Sequence, residues 1–292
     1  MIAGPTAVGK TAVAIEVAKH FSTEIISADS RQCFKELNIG VARPSVEELK
    51  QVKHHFIASH SIHDEVSAAA FELYALQKAS ELFQSHDVIV IVGGTGLYIK
   101  AFCEGLDEIP PVKQEIRDGI ISKFEKEGLS WLQKEVQLKD PEFYQKGEMQ
   151  NPQRMMRALE VIESTGHSIL HFRKGKKIKR DFEIIKIALE LPREDLNKRI
   201  NERVDKMIEN NLTEEVRGLL SFKRLNALQT VGYTEIFEYL EKKISLEEAV
   251  NKIKTTSRQY AKRQMTWFKK DKEISWYSPV DIEGITSMLK TT

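Results

Sequence analysis

The sequence predicts an α/β fold: a parallel-sheet core interrupted by an all-helical insertion. Three observations predict it. A short apolar stub runs into GPTAVGKT, Gly4 to Thr11, and then into a helical stretch. Downstream, continuous apolar runs alternate with amphipathic ones, the pattern of a parallel sheet covered by helices on both faces. Between residues 113 and 179 the alternation stops and only helical periodicity remains. The core therefore comprises residues 1–112 and 180–292, and the insertion 113–179.

The opening strand has only Met1-Ile2-Ala3 before the loop, so a few further residues are expected upstream. The helix after the loop ends near Lys19-His20. TEIISADS (23–30) reads as a second buried strand entering a polar loop. FELYALQKASELFQSH (71–86) carries apolar residues at helical spacing. DVIVIVGGTG (87–96) is a third strand, apolar on both faces, that runs into a glycine-rich turn. In the insertion, EIRDGIISKFEKEG, LSWLQKEVQLKDP and NPQRMMRALEVIESTG each read as one helix, the last stopped by Gly166. FRKGKKIKR (172–180) closes it with six basic residues. FEIIKIALEL (182–191) returns as a strand, helices follow through 245–270, and ISWYSP (274–279) reads as a last short strand.

With 292 residues, 41% of them hydrophobic and 30% charged, the chain has the composition of a globular protein with a sizeable core. A formal net charge of +1 gives no global basic field, so contact with nucleic acid must rely on local patches. Two distant cysteines, Cys33 and Cys103, exclude a disulfide scaffold and a cysteine zinc site and fit the cytoplasm. The longest apolar run, 88–92, is far too short to cross a membrane.

GPTAVGKT matches the pattern of a phosphate-binding loop. Gly4 and Gly9 allow a tight turn whose backbone N–H groups face an anion, and the following helix adds its N-terminal dipole. Lys10 supplies a positive charge, and the Thr11 hydroxyl suits Mg²⁺. The motif specifies phosphate or diphosphate, not ATP. A phosphoryl-transferring protein of this kind ends a later strand with an acidic Mg²⁺ ligand. Here that strand, VIVIV, ends in Gly93-Gly94-Thr95-Gly96, and Asp87 stands at its wrong end. Such glycines suit a turn or the close approach of a flat ligand.

Asp29, in SADSRQ (27–32), follows the second strand, where loops of an open α/β sheet surround a ligand. Its carboxylate suits proton acceptance, or equally a turn or helix cap. Arg199 and Arg203 are four apart and share a helix face, suited to a diphosphate or to solvent beside Glu202 and Asp205. In KTTSRQYAKRQMTWFKK (254–270), Lys254, Arg258 and Lys262 form one stripe and Tyr260 and Trp267 another. That pattern fits RNA contact or simple core packing. His54, His55, His60 and His63 match no zinc spacing.

Taken together, these strings resemble one family closely: the bacterial tRNA dimethylallyltransferases, or tRNA isopentenyltransferases. The matching residues are GPTAVGKT (4–11), EIISADSRQ (24–32), HHF (54–56) and VGGTGLYIKA (92–101). They continue with QRMMRALEV (153–161), RINERVDKM (199–207), VGYTE (231–235) and RQYAKRQMTWF (258–268), in the family's order and over nearly the whole chain. The resemblance implies a P-loop kinase-like core with a helical insertion that contacts tRNA. It implies transfer of a dimethylallyl group from dimethylallyl diphosphate to the exocyclic amine of the adenosine just 3′ of the anticodon, with diphosphate leaving. The partners are the tRNA anticodon stem-loop and dimethylallyl diphosphate, the cofactor is Mg²⁺, and the enzyme is expected to be a cytoplasmic monomer.

Carried over residue by residue, the resemblance places diphosphate on Gly4, Pro5, Thr6, Ala7, Val8, Gly9, Lys10 and Thr11, with Arg203. Arg199 is close enough to compete with Arg203. The catalytic residues are Asp29, which takes the proton of the adenine amine, with Thr95 and Lys10. Thr11 holds the metal. Asp29, Ser30, Arg31, Gln32, Thr95, Arg117, Gln153, Arg154, Met155, Met156 and Arg157 contact tRNA. The adenosine must leave its stack to reach the site. Binding should weaken steeply with salt, through residues 174–180 and the helix of Arg258. Cys33-Phe34, Val41, Arg43 and Pro152 depart from the family's usual residues, and none removes a catalytic group. The rival readings are an ATP-dependent small-molecule kinase on the same fold and a non-enzymatic RNA-binding module.

Overall fold

The computed structural model describes residues 1–290. The chain forms two compact units: residues Met1–Cys103 with Arg180–Thr292, and residues Glu104–Lys179. The first is built on six strands: β1 Ile2–Ala3, β2 Ile25–Ser27, β3 His54–His55, β4 Val90–Gly93, β5 Ile187–Leu189 and β6 Ser275–Tyr277. They pair in the order β3-β2-β4-β1-β5-β6, every pair parallel. β3 is absent from the sequence reading, because two histidines carry no apolar pattern. It forms by pairing of His54 with Ile25 and His55 with Ile26.

Successive strand residues face opposite sides of a sheet, and here they feed two separate cores. Ile2, Ile25, Val90, Val92, Ile187 and Leu189 pack on one face with Val13 and Val17 of the helix after the loop. Ala3, Ile26, Ile91 and Ala188 pack on the other with Phe71, Tyr98, Phe102 and Ile236. Both faces are covered, which is why the strands read as continuous apolar runs.

The second unit has its own core, formed by Leu132, Val136, Phe143, Met155 and Leu159 among others. Gly128 breaks the long helix Gln114–Lys139 with non-helical φ/ψ, so the sequence's two helices meet at a kink. The helix Pro152–Thr165 ends at Gly166 in the left-handed conformation.

The basic run does not act as one patch. Lys174, Lys176 and Lys179 are exposed, but the Arg180 side chain is only 9% exposed and pairs with Glu72 at 2.6 Å. It also donates to the carbonyls of Ala101 and Phe102 at the end of a helix, where a cation complements the helix dipole. Arg180 is thus a structural residue of the sheet unit. Arg180→Met should lower the unfolding free energy by about 3 kcal/mol, because Glu72 keeps a poorly solvated charge without its partner. Urea titration reads this directly; unchanged stability with weakened RNA binding would contradict it.

Candidate active site

The phosphate loop connects β1 to the helix Lys10–His20. Gly4 and Gly9 adopt φ of +145° and +108°, as does Ala7 at +63°, which turns the chain tightly at the carboxyl end of β1. Val13 N–H is bonded to Gly9 O at 3.3 Å. The amides of the turn before it, Lys10, Thr11 and Ala12, have no partner within the helix. They point out of its N-terminus beside the positive end of the dipole.

Two cavities adjoin here. One, of about 400 Å³, is lined by Thr6, Ala7, Gly9, Lys10 and Thr11 of the loop and by Ser27, Glu48, Gly93 and Gly94. The other, of about 510 Å³, is lined by Ile200, Val204, Val231 and Ile253 and by Ser30, Arg31 and Arg263. Thr6, Ala7, Asp29, Arg203 and Tyr260 line both.

Asp29 is a turn residue whose second carboxylate oxygen is left open. Its Oδ1 accepts from the N–H groups of Arg31 and Gln32 at 2.9 and 3.2 Å, an Asx turn. Among the described residues, Oδ2 has no hydrogen-bond partner. Thr95 buttresses the same turn: its Oγ1 accepts from Ser30 N–H at 3.1 Å and lies 3.4 Å from Ser30 Oγ.

Lys10 and Arg203 line the phosphate-loop cavity. Lys10 Nζ donates to Pro5 O at 2.7 Å. Burial, with Arg203 nearby, lowers its amine to about 7, while Asp29 opposes the shift. Arg203 Nη1 donates to Thr6 Oγ1 at 3.1 Å and Nη2 to Ala42 O at 3.4 Å. Burial lowers its guanidinium from the ordinary value, with Asp29 and Glu48 opposing. Arg199 reaches Val8 O at 3.3 Å but is exposed and lines neither cavity.

Several supports escaped the sequence reading. Glu215 accepts from Ile39 and Gly40 N–H at 2.8 and 3.1 Å and from the Tyr233 hydroxyl at 2.6 Å. This fixes the loop whose Ala42 carbonyl receives Arg203 and, at 2.9 Å, Gln32 Nε2. Arg43 ties the same loop to the carbonyls of Phe34, Lys35 and Leu37. Gln264, only 7% exposed, accepts from Thr6 N–H at 2.8 Å and donates to Gly94 O at 2.9 Å. The Thr6 amide is therefore taken within the protein, and the anion-facing amides begin after it.

A Cβ on Gly94 would lie 2.3 Å from Gln264 Nε2, and one on Gly96 2.3 Å from the Trp267 ring. Gly94 and Gly96 admit side chains of the protein's own helix Leu246–Phe268, and Gly94 also lines the phosphate-loop cavity. That helix's basic stripe also turns inward in part. Lys254 pairs with Asp205 at 2.6 Å and Arg258 donates to Asn201 at 2.7 Å. Among the described residues, no cluster of three metal-ligating side chains includes the histidines of 54–63. His55 pairs with Glu24, and His54 Nδ1 lies 2.8 Å from Val52 O.

A family model described as IPP transferase matches residues 32–271. The tRNA dimethylallyltransferase of Christiangramia forsetii is 51% identical over 276 residues, 94% of this chain and 91% of that protein. The chain belongs to the IPP transferase family. The tRNA dimethylallyltransferase of Cytophaga hutchinsonii is 44% identical over 99% of this chain and 95% of its own length. The crystal structure of the full-length tRNA isopentenylpyrophosphate transferase of Bacillus halodurans superposes with a TM-score of 0.72 at 32% identity, over 99% of this chain and 94% of that one. IPP transferases modify tRNA by prenyl transfer, and this chain is such an enzyme; the kinase reading is not favoured.

The second unit carries the remaining residues of the sequence reading. Gln153 and Arg154 are exposed, and Arg154 pairs with Glu148 at 2.8 Å. Arg117 and Arg157 both reach the buried Glu160, at 3.5 and 2.9 Å. Met155 and Met156 are 0% and 6% exposed and lie in the unit's core. They seat the helix, and their side chains are not available to RNA. The helical period explains the miss: a motif string includes both the face that binds and the face that packs.

Proposed function

We propose that the chain transfers a dimethylallyl group from dimethylallyl diphosphate to the exocyclic amine of the adenosine 3′-adjacent to the anticodon. The observation that carries this reading is the Asp29 carboxylate, anchored through one oxygen and open through the other where the two cavities meet. In the reaction the allylic carbon–oxygen bond breaks and its electron pair leaves with diphosphate. The adenine nitrogen forms the new carbon–nitrogen bond, and its proton passes to Asp29. Lys10, Arg203 and the amides at the helix N-terminus stabilise the charge that develops on the leaving oxygens. Thr95 holds the Asp29 turn in place.

Thr11, Ser27 and Glu48 line the phosphate-loop cavity. This all-oxygen donor set fits Mg²⁺, a hard cation that shares its shell with phosphate oxygens and water. When bound, Mg²⁺ would supply further positive charge to the diphosphate. The flipped adenosine approaches through Ser30, Arg31 and Gln32, and the helical unit contacts the tRNA anticodon stem-loop through Arg117, Gln153, Arg154 and Arg157. The enzyme acts as a monomer in the cytoplasm.

The test combines labelled dimethylallyl diphosphate, Mg²⁺ and an unmodified anticodon stem-loop. Label should appear on the adenosine 3′ of the anticodon. ATP consumption without label transfer would favour a kinase, and label at another nucleotide would refute the assigned acceptor.

A further inference from the structure

One face of the helix Leu246–Phe268 grips both halves of the site at once. Tyr260 and Gln264 are four residues apart, and Trp267 follows three later, so all three project from one side. Tyr260 lines both cavities together with Asp29. Trp267 lies over Gly96. Gln264 spans the gap between them, from the Gly94 carbonyl to the Thr6 amide.

We infer that Gln264 is a positioning residue that locks the phosphate loop to the turn carrying Thr95. Its carboxamide is suited to this, because one group both accepts from an amide and donates to a carbonyl. The two backbone groups follow the paired ends of β1 and β4, where Ala3 stands opposite Gly93, and among the described residues no hydrogen bond joins their following loops directly. Through Gln264, the Thr6 end of the diphosphate cradle is held in register with the Thr95–Ser30–Asp29 turn. Two reactants held about 1 Å out of register lose roughly 10²-fold in rate. Neither the loop motif nor the proton acceptor secures that register alone.

Gly94 supplies an independent handle on the same contact. A methyl group there strikes the Gln264 amide nitrogen at 2.3 Å, whereas the next atoms, Gln264 Cδ and Gly4 O, lie at 3.5 Å, ordinary contact. Gly94→Ala should therefore expel the Gln264 amide while leaving its chemistry intact. Once the Gln264 side chain is shortened, the same methyl meets no obstacle.

The inference rests on the diphosphate reading of the loop, so the experiment separates the two. Gln264→Ala, Gly94→Ala, the double variant and Gln264→Met are compared with the wild type. Their kcat and KM for transfer, their pyrophosphate affinity with Mg²⁺ and the hydrogen exchange of the Thr6 amide are measured. Gln264→Ala and Gly94→Ala should each lower kcat by about tenfold or more, with KM for the stem-loop within threefold of wild type. Both should lose protection of Thr6. The double variant should be no slower than Gly94→Ala alone. Gln264→Met, which fills the space without the two hydrogen bonds, should match Gln264→Ala. Multiplicative losses in the double variant, or a wild-type rate for Gln264→Met, would overturn the inference by reducing Gln264 to packing. Failure of the wild-type protein to bind pyrophosphate would overturn the diphosphate reading, and this inference with it.

Discussion

Asp29→Asn should lower the rate at saturating substrates by about 10²-fold or more, the scale of a lost general base. Asparagine is the informative replacement. Its side-chain oxygen still accepts from Arg31 and Gln32 N–H, so the turn that Asp29 holds at 2.9 and 3.2 Å survives. What it cannot do is take a proton at the second oxygen. The affinities for pyrophosphate and for the stem-loop should stay within about threefold, since the turn, Thr95 and Arg203 are untouched, and kcat alone should fall. Asp29→Ala should be worse in both respects, because Ser30 to Gln32 lose their anchor as well. An Asp29→Asn enzyme within about threefold of wild type in kcat would remove Asp29 as the proton acceptor.

The turn that Asp29 holds explains why the residue was ambiguous in the sequence. A turn aspartate and a proton-accepting one call for the same residue type in the same loop, and the sequence does not show that one oxygen is left open. Other features were legible because they are local. The phosphate loop needs its glycines, Lys10 and Thr11 within eight consecutive residues, and the kink at Gly128 and the stop at Gly166 follow from the residues themselves. The strands β1, β2, β4 and β5 were legible because burial on two faces makes them continuously apolar.

Long-range partners were not legible. Gln264 lies 258 residues from Thr6, and Glu215 lies 176 from Ile39. Nothing in the local pattern says which carbonyl or amide a distant polar side chain will meet. Arg180 was misread for the same reason: within a basic run it resembles its neighbours, and only the fold sets Glu72 and a helix end against it. Met155 and Met156 failed differently, since a motif carried over as a string ignores the alternation of faces along a helix.

Lys10→Met should reduce kcat/KM for dimethylallyl diphosphate by about 10²-fold or more, the usual loss of a preorganised charge at a developing anion. Its pH dependence is the sharper signature. In the ligand-free protein, burial and Arg203 hold the Lys10 amine at about 7, against an ordinary value of 10.5. The charge is therefore present below pH 7 and largely absent above it. A bound diphosphate favours the charged form, so above pH 7 binding takes up a proton, and affinity falls by up to about tenfold per pH unit. Pyrophosphate titrates too, but equally for both proteins. The ratio of wild-type to Lys10→Met affinity should therefore decline from pH 7 to pH 9. Stability runs in the opposite sense. Between the folded value of about 7 and the unfolded one of 10.5, the unfolded chain holds more protons, so ligand-free stability rises with pH. Below about pH 7 the buried charge imposes its full cost, and there Lys10→Met should be most stabilising relative to wild type. That advantage should shrink toward pH 10. A constant affinity ratio from pH 6 to 9 would mean that Lys10 keeps its charge throughout, and the cradle would then be charged before diphosphate arrives.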